Sequence, residues 1–234
     1  NRNELYRGMM QPLPPRRPAI AKDLVAVVLA GGMSRRMQGL GLNPKRYAGN
    51  EACVSDELLL VDKALVFCAG KPLISWTLQR LQSQVRQILI SCNRNIKSFA
   101  SFGHPLLHDE FQGFAGPLAG VHAALSWMRT KTNPAGMSQW LLTAPCDCPL
   151  LPENLARSMC RAAQGGHPIV VARDPEFEQP GFLLIHLSML DHLDAYLRDG
   201  GRKIGDWYQS VNYASCLFGE IHSFFNVNTP EDVD

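Results

Sequence analysis

Six consecutive apolar residues constrain the fold of this chain more than any other feature of its sequence. They run from Leu24 to Leu29 and lead through Ala30 into the glycine pair Gly31-Gly32. A strand that is apolar on both faces fits the interior of a parallel sheet with helices on both sides. The run therefore predicts a buried strand that ends in a tight glycine turn.

Further strand and helix patterns alternate along the rest of the chain. Short apolar runs predict strands, and amphipathic stretches that open at a proline predict helices. The strands are predicted at 87–91, 105–108, 139–143 and 169–172, and the helices at 72–84, 117–129 and 152–164. This alternation predicts an α/β fold with a mostly parallel sheet and helices on both faces. In such folds ligands bind at the carboxyl ends of the strands.

Composition limits the size of the domain and the classes of partner. The 234 residues are 46% hydrophobic, which suffices for one sizeable domain. We predict a flexible tail over 1–21, a single α/β domain over 22–234 and, within that domain, a surface insertion over 38–60. A net charge of +2 does not favour nucleic-acid binding, and no apolar run approaches the roughly 20 residues of a membrane span. Seven scattered cysteines favour reduced thiols and a cytoplasmic location.

The glycine turn after the first strand is the first candidate for chemistry. Paired glycines allow a tight turn and present consecutive backbone N–H groups to a phosphate or a base edge, although a plain turn would also explain them. Arg36 could neutralise a triphosphate with its planar guanidinium, and Lys63 could do so as a point charge. The glycine spacing matches neither a Walker loop nor the dinucleotide fingerprint.

Asp147 is the second candidate. It follows the predicted strand 139–143 on a loop that two prolines stiffen, where its carboxylate could bind Mg²⁺ that bridges phosphates. The alternative is an aspartate that caps a helix or forms an Asx turn. Asp109, after the short strand 105–108, leaves the same two interpretations open. We interpret Cys146 and Cys148, on either side of Asp147, as packing residues.

Motifs from Leu24 to the last residue resemble those of the molybdenum cofactor guanylyltransferases. Their agreement in order makes the resemblance far more specific than any single motif. In chain order they are Leu29-Ala30-Gly31-Gly32 with Ser34, Arg36 and Met37; Asp62-Lys63; Gly70-Lys71-Pro72-Leu73; Asn93-Arg94; Asp109; Gly116-Pro117-Leu118-Ala119-Gly120; Pro145-Cys146-Asp147-Cys148-Pro149; and Phe225-Asn226-Val227-Asn228-Thr229-Pro230-Glu231-Asp232.

The resemblance implies a Rossmann-like nucleotidyltransferase fold and a Mg²⁺-dependent reaction. GMP would pass from GTP to the terminal phosphate of molybdopterin, or of its molybdenum form, with release of pyrophosphate. Transient contacts with cofactor-handling proteins are also implied. The residues implied at the GTP site are Leu29, Ala30, Gly31, Gly32, Lys63, Ser91, Asn93, Asp109 and Asp147. Arg36, Lys63 and Asp147 would be catalytic, Asp147 would bind the metal, and Asn226 and Asn228 would lie beside the cofactor substrate.

The chain departs from the family pattern around its insertion. Gln38 stands where the family usually has glycine, and the segment 38–60 separates Arg36 from Lys63. This segment contains Pro44-Lys45-Arg46-Tyr47, which resembles the Pro-Lys-Gln-Tyr of isoprenoid cytidylyltransferases, so Lys45 is a rival phosphate ligand. We favour Lys63, because its spacing to the motif at 70–73 matches the guanylyltransferases without a gap.

A second departure lies after the predicted strand 87–91. Ser91 stands where relatives often carry asparagine, so Asn93 fits the family pattern better as a ligand. The basic turn 200–203, which relatives share, could bind the anionic phosphate of the pterin or simply join two helices.

Three other functions remain open on the sequence alone. A CTP-dependent enzyme would act on the same cofactor, and related cytidylyltransferases tend to have Ala-Gly in place of Gly31-Gly32. A non-catalytic nucleotide-binding module of the same fold would have no need of Lys63 and Asp147, yet both are present. A sugar-1-phosphate nucleotidyltransferase would lack the ending that begins at Asn226.

Overall fold

In the computed structural model, the described residues are 20–31, 62–109, 111, 116–131, 138–219, 221–228 and 232. The predicted insertion and nearly all of the predicted tail lie outside these residues, so the domain boundaries stay predictions. Within the described part of the chain, no helix is long and apolar enough to cross a membrane.

In the described part of the chain, seven strands form the main sheet and two short strands form a separate hairpin. The sheet strands are β1 (Val25–Leu29), β4 (Gln87–Ser91), β5 (Leu106–Leu107), β6 (Trp140–Pro145), β7 (Ile169–Arg173), β8 (Glu178–His186) and β9 (Tyr213–Leu217), and the hairpin strands are β2 (Phe67–Cys68) and β3 (Lys71–Pro72). Across the sheet the order is β5-β4-β1-β6-β8-β7-β9. The chain leaves β1 in one direction and later returns to its other side, so β1 marks a switch point where ligands bind in α/β sheets.

Within the main sheet, the described strand pairings are parallel except those of β8. Strand β8 runs antiparallel to both β6 and β7, while the other neighbours pair in parallel. The predicted mostly parallel sheet is therefore confirmed. The sequence patterns did not predict β8, because Pro180 and Gly181 interrupt its first half and resemble a loop.

Helices cover both faces of the sheet. They are α1 (Leu73–Gln82), α2 (Ile96–Ala100), α3 (Pro117–Lys131), α4 (Leu155–Ala163), α5 (Leu190–Arg198) and α6 (Ile204–Gln209). Alternate residues of β1 enter two separate cores: Ala26 and Val28 join the one beneath α1 and α4, and Val25 and Val27 the one beneath α3. The apolar run is thus buried on both faces, as predicted.

Two predicted helix starts differ from the observed ones. Pro72 is the N-cap of α1, which begins at Leu73. Helix α4 begins at Leu155 rather than at Pro152, because the carbonyl of Pro152 accepts from the N–H of Leu155 in a preceding turn. In both cases the proline lies just before the helix instead of inside it.

Candidate active site

The carboxyl ends of four neighbouring strands lie level with one another. Leu29 of β1 pairs with Ser91 of β4 and with Pro145 of β6, and Ser91 pairs with Leu107 of β5. The residues two positions beyond these pairs are Gly31, Asn93, Asp109 and Asp147. Because the strands are in register, four predicted nucleotide ligands from distant parts of the sequence meet at one edge of the sheet.

Lys63 reaches across to Asp147 at this edge. It starts the short 3₁₀ helix Lys63–Leu65. Its Nζ donates to Oδ2 of Asp147 and, over 2.7 Å, to Oδ1 of Asn228. The lysine and aspartate side chains are only 15% and 16% exposed, so solvent screens their attraction incompletely. The ammonium group of Lys63, the predicted phosphate ligand, therefore contacts both the predicted metal ligand, Asp147, and Asn228, which is predicted to lie beside the cofactor substrate.

Asp147 has an oxygen that is suited to a metal ion. Its Oδ1 is buried and has no hydrogen-bond partner among the described residues. The described residues contain no group of three or more His, Cys, Asp or Glu side chains that could hold a metal by themselves. Mg²⁺ often takes one or two carboxylates and completes its shell with phosphates and water. The donor set fits an ion that arrives with a nucleotide.

A buried carboxylate next to Lys63 holds the lysine segment in place. Asp62 is 3% exposed, and its oxygens accept from Nη2 of Arg94 and from Nδ2 of Asn95, both over 2.7 Å. Asn95 has a left-handed φ of 49°, a conformation that asparagine adopts more readily than most residues. This anchoring role was not predicted from the sequence, although Asp62-Lys63 and Asn93-Arg94 are both among the motifs of the resemblance.

Asn93 and Asp109 form a closed ring of two hydrogen bonds. Nδ2 of Asn93 donates to Oδ2 of Asp109 over 2.7 Å, and the N–H of Asp109 donates back to Oδ1 of Asn93 over 3.0 Å. Burial raises the pKa of Asp109 above its usual range, against the lowering effects of this hydrogen bond and of positive charge on His108. These two hydrogen bonds orient the side chains of Asn93 and Asp109 at the carboxyl ends of the strands.

The glycine turn is only partly available to a ligand. Ala30 is buried, and its N–H donates to the carbonyl of Ser91 over 2.9 Å. Leu29 belongs to β1 and packs towards Gly120 of α3, whereas Gly31 is exposed. Gly31 is thus the exposed member of the turn in the described part of the chain.

The hydroxyl of Ser91 faces the interior. Ser91 is 3% exposed, and a Cβ added at Gly120 would lie 2.4 Å from its Oγ. Helix α3 therefore approaches the end of β4 closely at a position that only glycine permits. Ser91 therefore contributes to the glycine turn through its backbone carbonyl, which accepts the hydrogen bond from the N–H of Ala30.

Cys148 orients one of the two predicted asparagines. Its Sγ donates to Oδ1 of Asn226 over 2.9 Å, and the N–H of Val227 donates to the carbonyl of Asp147 over 3.0 Å. Burial, and then the charge of Asp147, raise the pKa of the Cys148 thiol, which keeps it protonated as a donor. The interpretation of Cys148 as a packing residue is confirmed, because its side chain is fully buried in the core beneath α1 and α4. Its hydrogen bond to Asn226 was not predicted, because the partner of a buried thiol cannot be inferred from sequence neighbours.

A cavity with both apolar and charged lining residues adjoins the same carboxy-terminal segment. It has a volume of about 660 Å³ and is lined in part by Trp76, Leu150, Phe225 and Val227. Leu150 and Phe225 are 48% and 42% exposed. This volume lies within the range of small-molecule pockets.

For other predicted positions, either no geometry is described or a structural role is found. Gly32, Arg36 and Lys45 lie outside the described residues. In the turn 200–203, Nη1 of Arg202 donates to the carbonyls of Leu197 and Gly201, which supports its interpretation as a helix-joining turn.

Comparison with known proteins agrees with this geometry. Residues 26–211 match the family described as the MobA-like NTP transferase domain. A molybdenum cofactor guanylyltransferase of Shewanella putrefaciens is 41% identical over 209 residues, which cover 88% of this chain and 92% of that protein. A protein of the same name from Shewanella sp. strain MR-4 is 39% identical over 208 residues, covering 88% and 91% of the two chains.

Solved structures share the fold at much lower identity. The crystal structure of molybdopterin-guanine dinucleotide biosynthesis protein A from Archaeoglobus fulgidus has a TM-score of 0.65 and 22% identity, over 90% of this chain and 94% of that one. The 4-diphosphocytidyl-2C-methyl-D-erythritol synthase of Anaerococcus prevotii has a TM-score of 0.62 and 11% identity, over 91% and 93%.

The residues that match the family include Lys63 and the carboxyl ends of the four neighbouring strands. The two relatives align with most of this chain, and about two in five of the aligned residues are identical. The chain belongs to the molybdenum cofactor guanylyltransferase family.

Proposed function

We propose that this protein transfers GMP from GTP to the terminal phosphate of molybdopterin, or of its molybdenum form, and releases pyrophosphate. The convergence of Lys63, Asp147 and Asn228 at the edge of the sheet carries the proposal. It brings together an ammonium group, a carboxylate that can bind a metal ion and an amide. They meet at the carboxyl ends of the strands, where ligands bind in α/β folds. The names of the curated relatives support the same reaction.

The proposed reaction is a displacement at the α-phosphorus of GTP. An oxygen of the acceptor phosphate forms the new bond to this phosphorus, and the bond to the oxygen bridging the α- and β-phosphates breaks. Pyrophosphate leaves with that electron pair. The acceptor phosphate is already anionic near neutral pH, so the site needs no strong general base. Positioning and neutralisation of charge supply most of the catalysis in such transfers.

Each polar group at the sheet edge has a distinct part in this proposal. Lys63 would bind phosphate oxygens, and the ring of Asn93 and Asp109 would hold the nucleoside beside Gly31. Arg36 would add a second positive charge to the triphosphate. Asp147 would hold Mg²⁺, which when bound neutralises oxygens of the triphosphate. The buried, unpaired Oδ1 of Asp147 supports Mg²⁺ as the metal, because hard oxygen ligands suit it.

The acceptor would lie on the side of the carboxy-terminal segment. Asn226 and Asn228 offer amide groups there, and the neighbouring cavity, which Phe225 and Val227 help to line, could receive the flat ring system of the pterin. An amide held by Cys148 is pre-oriented, which limits the loss of side-chain freedom on binding.

The preference for guanine is proposed to depend on the space beside Gly31. A Cβ added there would lie 3.5 Å from Nδ2 of Asn93, which is an ordinary contact. Alanine would therefore fit the fold but reduce the room between the turn and Asn93. We expect the Gly31→Ala variant to be as stable as the unaltered protein and to lose part of the preference for GTP over CTP.

The proposal extends to the location of the protein and to its partners. Five buried cysteines of the described residues are free thiols, namely Cys92, Cys146, Cys148, Cys160 and Cys216, which suits a reducing compartment. We therefore propose a cytoplasmic location. Proteins that deliver or collect the cofactor are expected as transient partners.

Calorimetric titration of the purified protein with GTP, CTP and ATP, each with Mg²⁺, tests the proposal. A clear preference for GTP, followed by GMP transfer to molybdopterin, would support it. A preference for CTP would replace it with the cytidylyltransferase, and a folded protein that binds no nucleotide would be a non-catalytic module. Lys63→Met and Lys45→Met in the same titration identify the phosphate ligand, because only loss of the true ligand weakens binding strongly.

A further inference from the structure

Two oxygens that suit a divalent metal already converge on one cation in this protein. That cation is Nζ of Lys63, which donates to Oδ2 of Asp147 and to Oδ1 of Asn228. An ammonium group has donors only, so lone pairs of both oxygens point at the position it occupies. Carboxylate and amide oxygens are also ligands that Mg²⁺ and Mn²⁺ accept.

The ammonium group and a metal ion would compete for these oxygens. Oδ1 of Asp147 has no hydrogen-bond partner among the described residues and can reach a metal beside the lysine. A metal that also used Oδ2 of Asp147 and Oδ1 of Asn228 would lie about 2.1 Å from each of them, so it would need the lone pairs that Lys63 holds. Two positive charges a few ångströms apart also repel each other, and the partial burial of Lys63 and Asp147 reduces the screening of that repulsion. The lysine must leave Asp147 before a metal can use both oxygens.

A nucleotide offers the displaced ammonium group a new partner. The triphosphate carries several negative oxygens, and Lys63 begins a segment that Asp62 anchors through Arg94 and Asn95. Only the side chain beyond that anchor has to move. Phosphate binding and metal binding would therefore support each other through the same lysine.

We infer that Lys63 acts as a built-in substitute for the metal, which closes the position between Asp147 and Asn228 until a nucleotide phosphate draws the ammonium group away. This inference rests on the proposed metal-dependent transfer. It explains why the described residues lack a complete metal site of their own: the ion enters together with the nucleotide that completes its shell.

Binding of Mn²⁺ alone tests the inference, with the free ion measured by electron paramagnetic resonance and no nucleotide present. Lys63→Met should bind Mn²⁺ about tenfold more tightly than the unaltered protein, because removal of the lysine frees both oxygens. The same variant should bind metal-free GTP more weakly. Opposite changes for the two ligands are the signature of the exchange.

Three further variants separate this mechanism from simpler effects. Lys97→Met removes the same charge from an exposed position of α2 and should leave Mn²⁺ binding unchanged. Adding Asp147→Asn to Lys63→Met should abolish the gain. Lys63→Gln also removes the charge but keeps a hydrogen-bond donor, and it serves if the methionine variant does not fold.

An unchanged or weaker affinity for Mn²⁺ in folded Lys63→Met or Lys63→Gln would overturn the inference, as would an equal gain in Lys97→Met. The titration contains neither GTP nor acceptor. If GMP transfer is absent while the gain in Mn²⁺ affinity is found, the proposed function fails and the competition between lysine and metal stands.

Discussion

Arg94 donates a hydrogen bond of 2.7 Å from Nη2 to Oδ1 of Asp62, a carboxylate that is only 3% exposed. This pair joins the strand-end loop after β4 to the segment that carries Lys63. A buried carboxylate that loses its charged partner is destabilising, because the remaining charge is poorly solvated.

Arg94→Met should therefore lower the free energy of unfolding by about 3 kcal/mol. Affinity for GTP should fall as well, because Lys63 loses its anchor. Urea denaturation and calorimetry measure the two effects. Lys97→Met, on the exposed surface of α2, should change the free energy of unfolding by less than about 0.5 kcal/mol. Equal stability of the two variants would show that the pair contributes no anchoring.

Asp147→Asn should reduce Mg²⁺-dependent transfer by at least about 100-fold, because an amide oxygen carries no charge for the metal. The fold should survive, since asparagine has the same size and can still accept from Lys63. Single-turnover assays at several Mg²⁺ concentrations, with thermal unfolding as a check on the fold, measure both. Unchanged turnover in a folded variant would remove Asp147 from the metal site.

Cys148→Ala should raise the KM for molybdopterin by about 2- to 10-fold, because Asn226 loses the donor that orients its amide. The affinity for GTP should stay the same. Cys148→Ser restores a donor and should recover most of the effect. Cys146→Ala removes the other buried thiol beside Asp147 and is the matched control. A similar rise in KM for Cys146→Ala would point to general loosening of the loop.

Gly120→Ala should lower the free energy of unfolding by about 1–3 kcal/mol, because its Cβ would lie 2.4 Å from Oγ of Ser91 and 3.0 Å from Cδ2 of Leu29. Adding Ser91→Ala should recover part of this loss. Gly205→Ala, in α6, meets no atom within 4 Å and should be neutral or stabilise by up to about 1 kcal/mol. Thermal unfolding of the four proteins checks the series, and a harmless Gly120→Ala would contradict the close approach of α3.

Asp109→Asn should stabilise the fold at pH 7 by less than about 1 kcal/mol, because the carboxylate is only partly buried. Burial raises the pKa of Asp109 above its ordinary value of 3.8, so the ionised carboxylate destabilises the folded state. The penalty is absent below pH 3.8 and grows as the pH rises through the folded-state pKa. The gain in stability that Asp109→Asn gives over the unaltered protein should therefore vanish at low pH.

Urea denaturation of Asp109→Asn and the unaltered protein across this pH range measures the difference. GTP binding should weaken in the variant at pH 7, since the ring with Asn93 loses its charge. A gain in stability that is independent of pH would mean that ionisation of Asp109 does not oppose folding.

The sequence by itself determined the class of fold and the order of the motifs. The apolar run from Leu24 to Leu29 specifies a strand buried on both faces, because such a composition is stable only between two layers of helices. Charged residues just after the strands, above all Asp109 and Asp147, indicated which edge of the sheet would carry the site. These signals are local, so they can be read without knowledge of distant contacts.

The tertiary structure alone decided which of these residues act together. Asp62 meets Arg94, Cys148 meets Asn226, and Ser91 turns inward against Gly120. Strand β8 likewise escaped the sequence patterns, because its first half contains Pro180 and Gly181. Such contacts depend on strand register and on packing between residues far apart in the chain. A hydrogen bond between distant side chains leaves no periodic trace in either segment, so only the folded chain shows it.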